Sequence, residues 1–213
     1  MDLLQLLTML AATLPIKTNV AGMTANVPIA EANMAGPRSQ AFAGGDTNPA
    51  TLLLALELMS RQGQNIERFT GFNDFHHRKA KDAEGNPAGH AAGLKLDVTA
   101  KNSDPKKYDE ITSTLQKILQ ERGMLVDDFV GPQRYATLDT SDVYVRNENR
   151  NPSVSKSGKK ALPHVDAGFR SKEAAQRFLE NSFIELDKDY NIKNPVESQR
   201  KYADFMQKVY GKK

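Results

Sequence analysis

The sequence predicts an α+β domain in which helices pack around a small antiparallel sheet. Three observations indicate this fold class. Four helix starts are marked by capping residues, five short runs have the pattern of strands, and the two kinds of segment are interspersed without the regular order of a parallel α/β protein. The chain has 213 residues, which is long enough to bury a core without disulfides.

Residues 1–47 are predicted to be an N-terminal extension, and residues 48–213 the folded domain. The leucines of the first fourteen residues recur at helical spacing, and Pro15 ends this predicted helix. Asp2 stands where a secretory signal carries basic residues, so no signal peptide is expected. The following segment, residues 16–47, is rich in Gly, Ala, Pro, Asn and Ser without periodicity, which indicates irregular structure.

Four helices are predicted from their start signals. In each, a capping side chain accepts a hydrogen bond from a first-turn amide that has no partner inside the helix. In three of them a proline follows the cap, at a position where no amide donor is needed. The starts are Asn48-Pro49, Asp104-Pro105, Ser171 and Asn194-Pro195, and Gly123 is expected to end the second helix.

Five strands are predicted from short runs of apolar or alternating residues. The clearest is 93–99, where Leu94, Leu96 and Val98 alternate with polar residues, so that one face is buried and the other is polar. The other predicted strands are 68–72, 125–130, 142–146 and 162–166.

Charge and cysteine content limit the function classes. The net charge is +3, which is too small an excess to predict nucleic-acid binding, and the basic cluster of Lys156, Lys159 and Lys160 has no aromatic residues between its members. No apolar run approaches the roughly 18 residues that cross a bilayer, so no membrane span is expected. Because the chain has no Cys, any metal ion would be held by His, Asp or Glu.

The placement of the 4 histidines is the most informative feature. His90 lies in a glycine-containing approach to the strand 93–99, and Asp97 is on the polar face of that strand. His164 is the third candidate ligand, and on a strand it would share one side with Asp166. A site of two imidazoles and one carboxylate suits zinc and leaves a coordination position for water. A lone His–x6–Asp pair also arises by chance, so the spacing alone is a weak signal.

These residues resemble a known family. The segment His90-Ala-Ala-Gly-Leu-Lys-Leu-Asp97 is similar to the His–x2–Gly–x–x–x–Asp signature of the LAS-type zinc peptidases. That group includes lysostaphin-type endopeptidases, D-Ala-D-Ala carboxypeptidases and phage L-alanoyl-D-glutamate endolysins. Arg68-Phe-Thr-Gly-Phe72 resembles the strand that precedes the motif in the family, and Pro163-His164-Val-Asp resembles its closing strand.

The resemblance implies a zinc-dependent peptidase with peptidoglycan as substrate. Zn²⁺ would be bound by His90, Asp97 and His164, and the enzyme would hydrolyse a stem-peptide or cross-bridge amide at the bacterial cell wall. A phage lysin, a virion component and an enzyme of the host periplasm all fit this activity. The N-terminal helix would then attach the chain to other virion or tail proteins.

The general base is the point where the chain departs from the family. Ala161 occupies the position at which the carboxypeptidase branch carries an acidic residue. One interpretation keeps His164 as a ligand and makes Asp166 the catalytic base, and the other exchanges these two roles. The first is preferred, because imidazole is the commoner zinc ligand. Asp166 could also be a simple strand-end carboxylate that caps a turn.

Substrate-binding residues are expected just before the motif. His76 and His77 are predicted at the rim of the site, where either could donate a hydrogen bond to an oxyanion, although histidines in such a segment are more often ordinary exposed loop residues. Asn73 occupies the position of an arginine in the family, so Arg68 or Arg78 would have to bind a substrate carboxylate.

Two other functions remain open. The absence of an acid at position 161 favours a wall-binding or virion structural module that keeps the fold without hydrolysis. A dipeptidase of D-amino acids would share the chemistry and differ in compartment and substrate size.

Overall fold

The computed structural model describes residues 48–70, 85, 89–127, 141–150, 152, 154, 158–185 and 193–210. The predicted N-terminal helix and the segment 16–47 lie outside the described residues, and so does the predicted boundary after residue 47.

All four predicted helices are confirmed. Ser171 accepts a hydrogen bond from the Ala174 amide at 3.1 Å, as a capping residue should. Gly123 has a φ of 64° and follows the last turn of the second helix, where a left-handed residue ends a helix at least cost. None of the helices in the described part of the chain is long and apolar enough to cross a bilayer. The helices are α1 (Pro49–Gln62), α2 (Pro105–Gln120), α3 (Lys172–Asn181) and α4 (Pro195–Tyr210).

The sheet has five strands in the order β1-β2-β5-β4-β3. Its pairs are antiparallel except β3 with β4, which is parallel, so the prediction of a purely antiparallel sheet is wrong at this edge. Alternation along a strand shows which face is buried, but it does not show the direction of the neighbouring strand. The strands are β1 (Ile66–Thr70), β2 (Lys95–Ala100), β3 (Val126–Asp127), β4 (Val143–Asn147) and β5 (Val165–Phe169).

One face of the sheet forms the core with the helices. On β2 the burial alternates as predicted, because Leu96, Val98 and Ala100 are fully buried and the residues between them are only partly buried. The opposite, polar face therefore presents the side chains that alternate with these core residues. The buried apolar residues of the sheet and of α1, α2 and α3 belong to a single cluster.

The helix α4 is anchored by buried polar groups. The Tyr202 hydroxyl donates to Glu57 Oε1 on α1 at 2.7 Å, and Glu57 also pairs with Arg122 just after α2. The Arg122 guanidinium lies 5.1 Å from the ring centre of Phe178 and 5.0 Å from that of Phe205. Burial, reinforced by the negative charge of Glu57, raises the pKa of Tyr202 well above its ordinary value.

Candidate metal centre

Two carboxylates meet on the polar face of the sheet. Asp97 on β2 is directly opposite Asp166 on β5 in the antiparallel register, so the two side chains lie on the same face. Directly opposed like charges destabilise a sheet unless positive charge lies nearby. The side chains around this pair should therefore include cations or leave room for one.

His90 reaches this pair from a tight turn. The residues Gly89–Ala92 form a short 3₁₀ helix that leads into β2, and the Gly93 amide donates to the His90 carbonyl at 3.0 Å. Gly93 has a φ of 68°, a left-handed conformation that other residues adopt only at a cost. The turn places His90 Nε2 3.7 Å from Asp97 Oδ1, with the imidazole largely buried.

His164 approaches the same carboxylate from the start of β5. It lies immediately before β5, and its Nδ1 is 2.7 Å from the carbonyl oxygen of Leu162. A carbonyl oxygen only accepts hydrogen bonds, so Nδ1 carries a hydrogen and Nε2 is the ring nitrogen on the side of Asp97. That nitrogen lies 3.8 Å from Asp97 Oδ1.

The spacing of His90, Asp97 and Asp166 suits ligands around a common cation. The separations of 3.7 and 3.8 Å exceed the usual N–H···O hydrogen-bond range. Donor atoms around a tetrahedral zinc ion, each at about 2.0–2.1 Å from the metal, lie roughly 3.4 Å apart. Ligand atoms of His90, Asp97 and Asp166 all lie within 4.8 Å of one another. This group could hold a metal ion, although nitrogen and oxygen donors alone do not specify which one.

Asp166 is held by two donors. Lys95 Nζ donates to its Oδ2 at 3.0 Å, and the Tyr144 hydroxyl donates to its Oδ1 at 3.2 Å. Burial by itself would raise the pKa of Asp166, but the charges of Lys95, His90 and His164 outweigh that effect and lower the pKa below its ordinary value. Asp166 is therefore a buried carboxylate that stays ionised at neutral pH.

An ion pair between Arg146 on β4 and Glu148 just after it flanks the centre. Arg146 is opposite Asp166 in the register, and the Glu148 amide donates to the His164 carbonyl at 2.9 Å. Arg146 pairs with Glu148, and both side chains are buried. Sequence reasoning missed this pair and also Tyr144, because only the register between β4 and β5 brings them to the site.

Of the four residues predicted to bind metal or act as the base, the structure groups His90, Asp97 and Asp166 within 4.8 Å of one another. His164, the predicted third ligand, lies 3.8 Å from Asp97 but is not a member of that group. Sequence alternation had already placed Lys95 on the polar face, but it gave no sign of a pairing with Asp166.

Of the four residues predicted to bind substrate, the structure describes only Arg68. His76, His77 and Arg78 lie outside the described residues. Arg68 lies on β1 opposite Thr99, and its Nε is buried with no hydrogen-bond partner among the residues that the structure describes.

Comparisons with known proteins found no match for this chain. No family model matches the chain. No curated protein and no solved structure matches it either. The geometry of the polar face and the residues of the motif therefore carry the functional conclusion.

Proposed function

We propose that this chain is a zinc-dependent peptidase that hydrolyses a stem-peptide or cross-bridge amide of bacterial peptidoglycan. One observation carries the proposal. The Nε2 atoms of His90 and His164 lie 3.7 and 3.8 Å from a single buried oxygen of Asp97, which supports a shared metal site around that carboxylate. The resemblance of the segment 90–97 to the LAS-type motif supports zinc as the ion and peptidoglycan as the substrate.

The chemistry of the predicted ligands fits a zinc ion. His90, Asp97 and His164 would hold it through two imidazole nitrogens and one carboxylate oxygen, a donor set that zinc accepts when thiolates are absent. The Leu162 carbonyl fixes the His164 ring, as the outer partners of metal-binding histidines commonly do. A cation bound in such a site activates water and polarises the carbonyl group of a substrate.

Asp166 is the proposed general base. Its lowered pKa keeps the carboxylate ionised, so that one of its oxygens can accept a proton from the attacking water. The same carboxyl group then donates that proton to the leaving amine. Lys95 and Tyr144 fix its orientation through their hydrogen bonds to its two oxygens.

Substrate binding is proposed for residues that precede the motif in the sequence. Arg68 or Arg78 would pair with a carboxylate of the stem peptide, since a guanidinium binds carboxylates through two parallel hydrogen bonds. His76 or His77 would donate to the oxyanion that forms when the amide is attacked.

The metal claim is tested by elemental analysis of the full chain after exposure to zinc and removal of the excess. We expect about one zinc ion per chain and loss of that ion in His90→Ala and in Asp97→Ala. Asp204→Asn is the matched control, because it removes an exposed carboxylate of α4 outside the centre. Stoichiometric zinc in both site variants would show that these residues do not bind the metal.

The reaction claim is tested on purified peptidoglycan by measuring newly exposed amino groups. The zinc-loaded protein should release amines, and Asp166→Asn should release them at least 100-fold more slowly if Asp166 is the base. A full rate in Asp166→Asn would remove the base assignment and leave the peptidase assignment standing.

A second candidate function is a peptidoglycan-binding or virion module without hydrolysis. It is favoured by the two donors that hold Asp166 and by the alanine at position 161. Such a module would sediment with peptidoglycan and release no amines, and residues 1–47 would attach it to other virion or tail proteins. A D-amino-acid dipeptidase, in contrast, would cleave a free dipeptide and leave peptidoglycan intact.

A further inference from the structure

Lys95 stands inside the motif that carries His90 and Asp97, and its side chain runs between two glycines. A Cβ atom added at Gly89 would come within 2.9 Å of Lys95 Cδ, and one added at Gly168 would come within 2.8 Å of Lys95 Cγ. Both approaches are closer than real Cβ contacts. Because the two glycines have no side chains, there is room for the lysine side chain between them.

Tyr144 shares this space. A Cβ atom at Gly168 would also lie 2.8 Å from the Tyr144 hydroxyl oxygen, and Lys95 Nζ lies 5.3 Å from the centre of the Tyr144 ring. The register explains the arrangement, because Lys95, Gly168 and Tyr144 are directly opposite one another on three neighbouring strands. The glycine on the middle strand lets the two long side chains pass over it toward Asp166.

The ammonium and the carboxylate that meet here are both removed from water. The side chain of Lys95 is 19% exposed and that of Asp166 is 8% exposed, so the pair is not a surface ion pair. Removing two charges from water is costly, and a buried pair adds little stability compared with apolar side chains of similar size. This cost points to a role for the pair other than stability.

The position of the pair suggests that role. Asp166 is close enough to His90 and Asp97 to be a ligand of the same ion, which would give the site two imidazoles and two carboxylates. Four protein ligands make a closed zinc site of the structural type, whereas a catalytic site keeps one position for water. The same side chains could thus form either an inert centre or an active one.

We propose that Lys95, assisted by Tyr144, is a positioning residue that keeps Asp166 out of the coordination sphere and so keeps one position on the metal open. Its ammonium neutralises Asp166 and repels a cation that would share the same oxygen. His90, Asp97 and His164 are then the protein ligands. This inference rests on the proposed function and adds the group that selects between a closed and an open centre.

The test is the zinc affinity of Lys95→Met, measured by competition with a chromophoric chelator. Methionine matches the length of the lysine stem and removes the charge. The variant should bind zinc about tenfold more tightly or better, because Asp166 becomes a fourth ligand, and should lose amine release from peptidoglycan. Lys117→Met is the matched control, since it removes an exposed lysine of α2, and its zinc affinity should be that of the wild type.

A second readout reports the open position directly. In the cobalt-loaded wild type, added azide should take that position and change the visible absorption spectrum of the metal. In cobalt-loaded Lys95→Met the spectrum should not respond, since Asp166 fills the position. If Lys95→Met does not fold, Tyr144→Phe removes the other donor to Asp166 and should raise the zinc affinity in the same direction by a smaller factor.

Unchanged or weaker zinc binding in Lys95→Met, or a wild-type cobalt spectrum that ignores azide, would overturn the inference. The first result leaves the proposed peptidase and its zinc ion standing, because amine release from peptidoglycan is measured separately. The second also counts against hydrolysis at this centre, since a catalytic zinc keeps one position for water. Failure of the wild type to bind zinc at all would instead overturn the proposed function and this inference together.

Discussion

Replacement of Asp97 by asparagine should stabilise the metal-free protein and abolish its stabilisation by zinc. In the register between β2 and β5, Asp97 and Asp166 face each other directly. Such a like-charge pair is destabilising, and the Lys95 ammonium beside Asp166 reduces the repulsion, so the neutral amide should raise the free energy of unfolding by at most about 1 kcal/mol. The same pH is used for both proteins.

With zinc present, wild type should become more stable than Asp97→Asn. An ion that binds only the folded state at a free concentration of 100 times its Kd stabilises it by about 2.7 kcal/mol. Wild type should gain that amount, which is roughly 5–10 °C in Tm for a domain of this size, and Asp97→Asn should gain little. If the stability difference between Asp97→Asn and wild type changes sign when zinc is added, the aspartate serves binding at the expense of stability.

The assay is urea denaturation followed by circular dichroism, once with a chelator and once with zinc. Asp204→Asn, which alters an exposed carboxylate of α4, should differ from wild type by less than about 0.5 kcal/mol in both conditions. The reasoning is refuted if Asp97→Asn is destabilised by more than about 1 kcal/mol in the chelator, or if zinc stabilises it as much as wild type.

Three further predictions concern other residues. Gly93→Ala should cost about 1 kcal/mol and weaken zinc binding, because alanine at a φ of 68° disturbs the turn that carries His90, and unaltered urea and zinc titrations would contradict this. The raised pKa of Tyr202 means that stability is intact below the ordinary value of 10.0 and falls as pH rises above it, since only the unfolded tyrosine ionises there. Denaturation midpoints between pH 9 and 11 should therefore decline more steeply for wild type than for Tyr202→Phe, and equal slopes would disprove the assignment. Arg68→Gln should raise KM for a stem peptide with a free carboxylate and leave kcat nearly unchanged, whereas an unchanged KM would assign that contact elsewhere.

Local signals in the sequence predicted much of the fold. The helix starts could be read because a cap and its proline act within a few residues of each other, as at Asp104, whose side chain accepts from the Lys106 amide at 2.9 Å. The last strand was predicted at 162–166 and lies at Val165–Phe169. Pro163 has no amide hydrogen to donate to a sheet, so the regular pairing begins beyond it.

The contacts within the site were most readily predicted where they are local. His90 and Asp97 are seven residues apart in one turn-and-strand unit, and their spacing correctly indicated that the side chains meet. The contact of Lys95 with Asp166, by contrast, joins residues 71 positions apart. Register across a sheet depends on long-range packing, and no periodicity within one strand contains it.

The most direct test of the account is the coordination sphere of the zinc-loaded protein, determined crystallographically with anomalous scattering at the zinc edge. We expect bonds of about 2.0–2.2 Å from His90, Asp97 and His164 to the ion, with Asp166 still hydrogen-bonded to Lys95 and not coordinated. An ion bound by Asp166 in place of His164, or no ion at these residues, would contradict it.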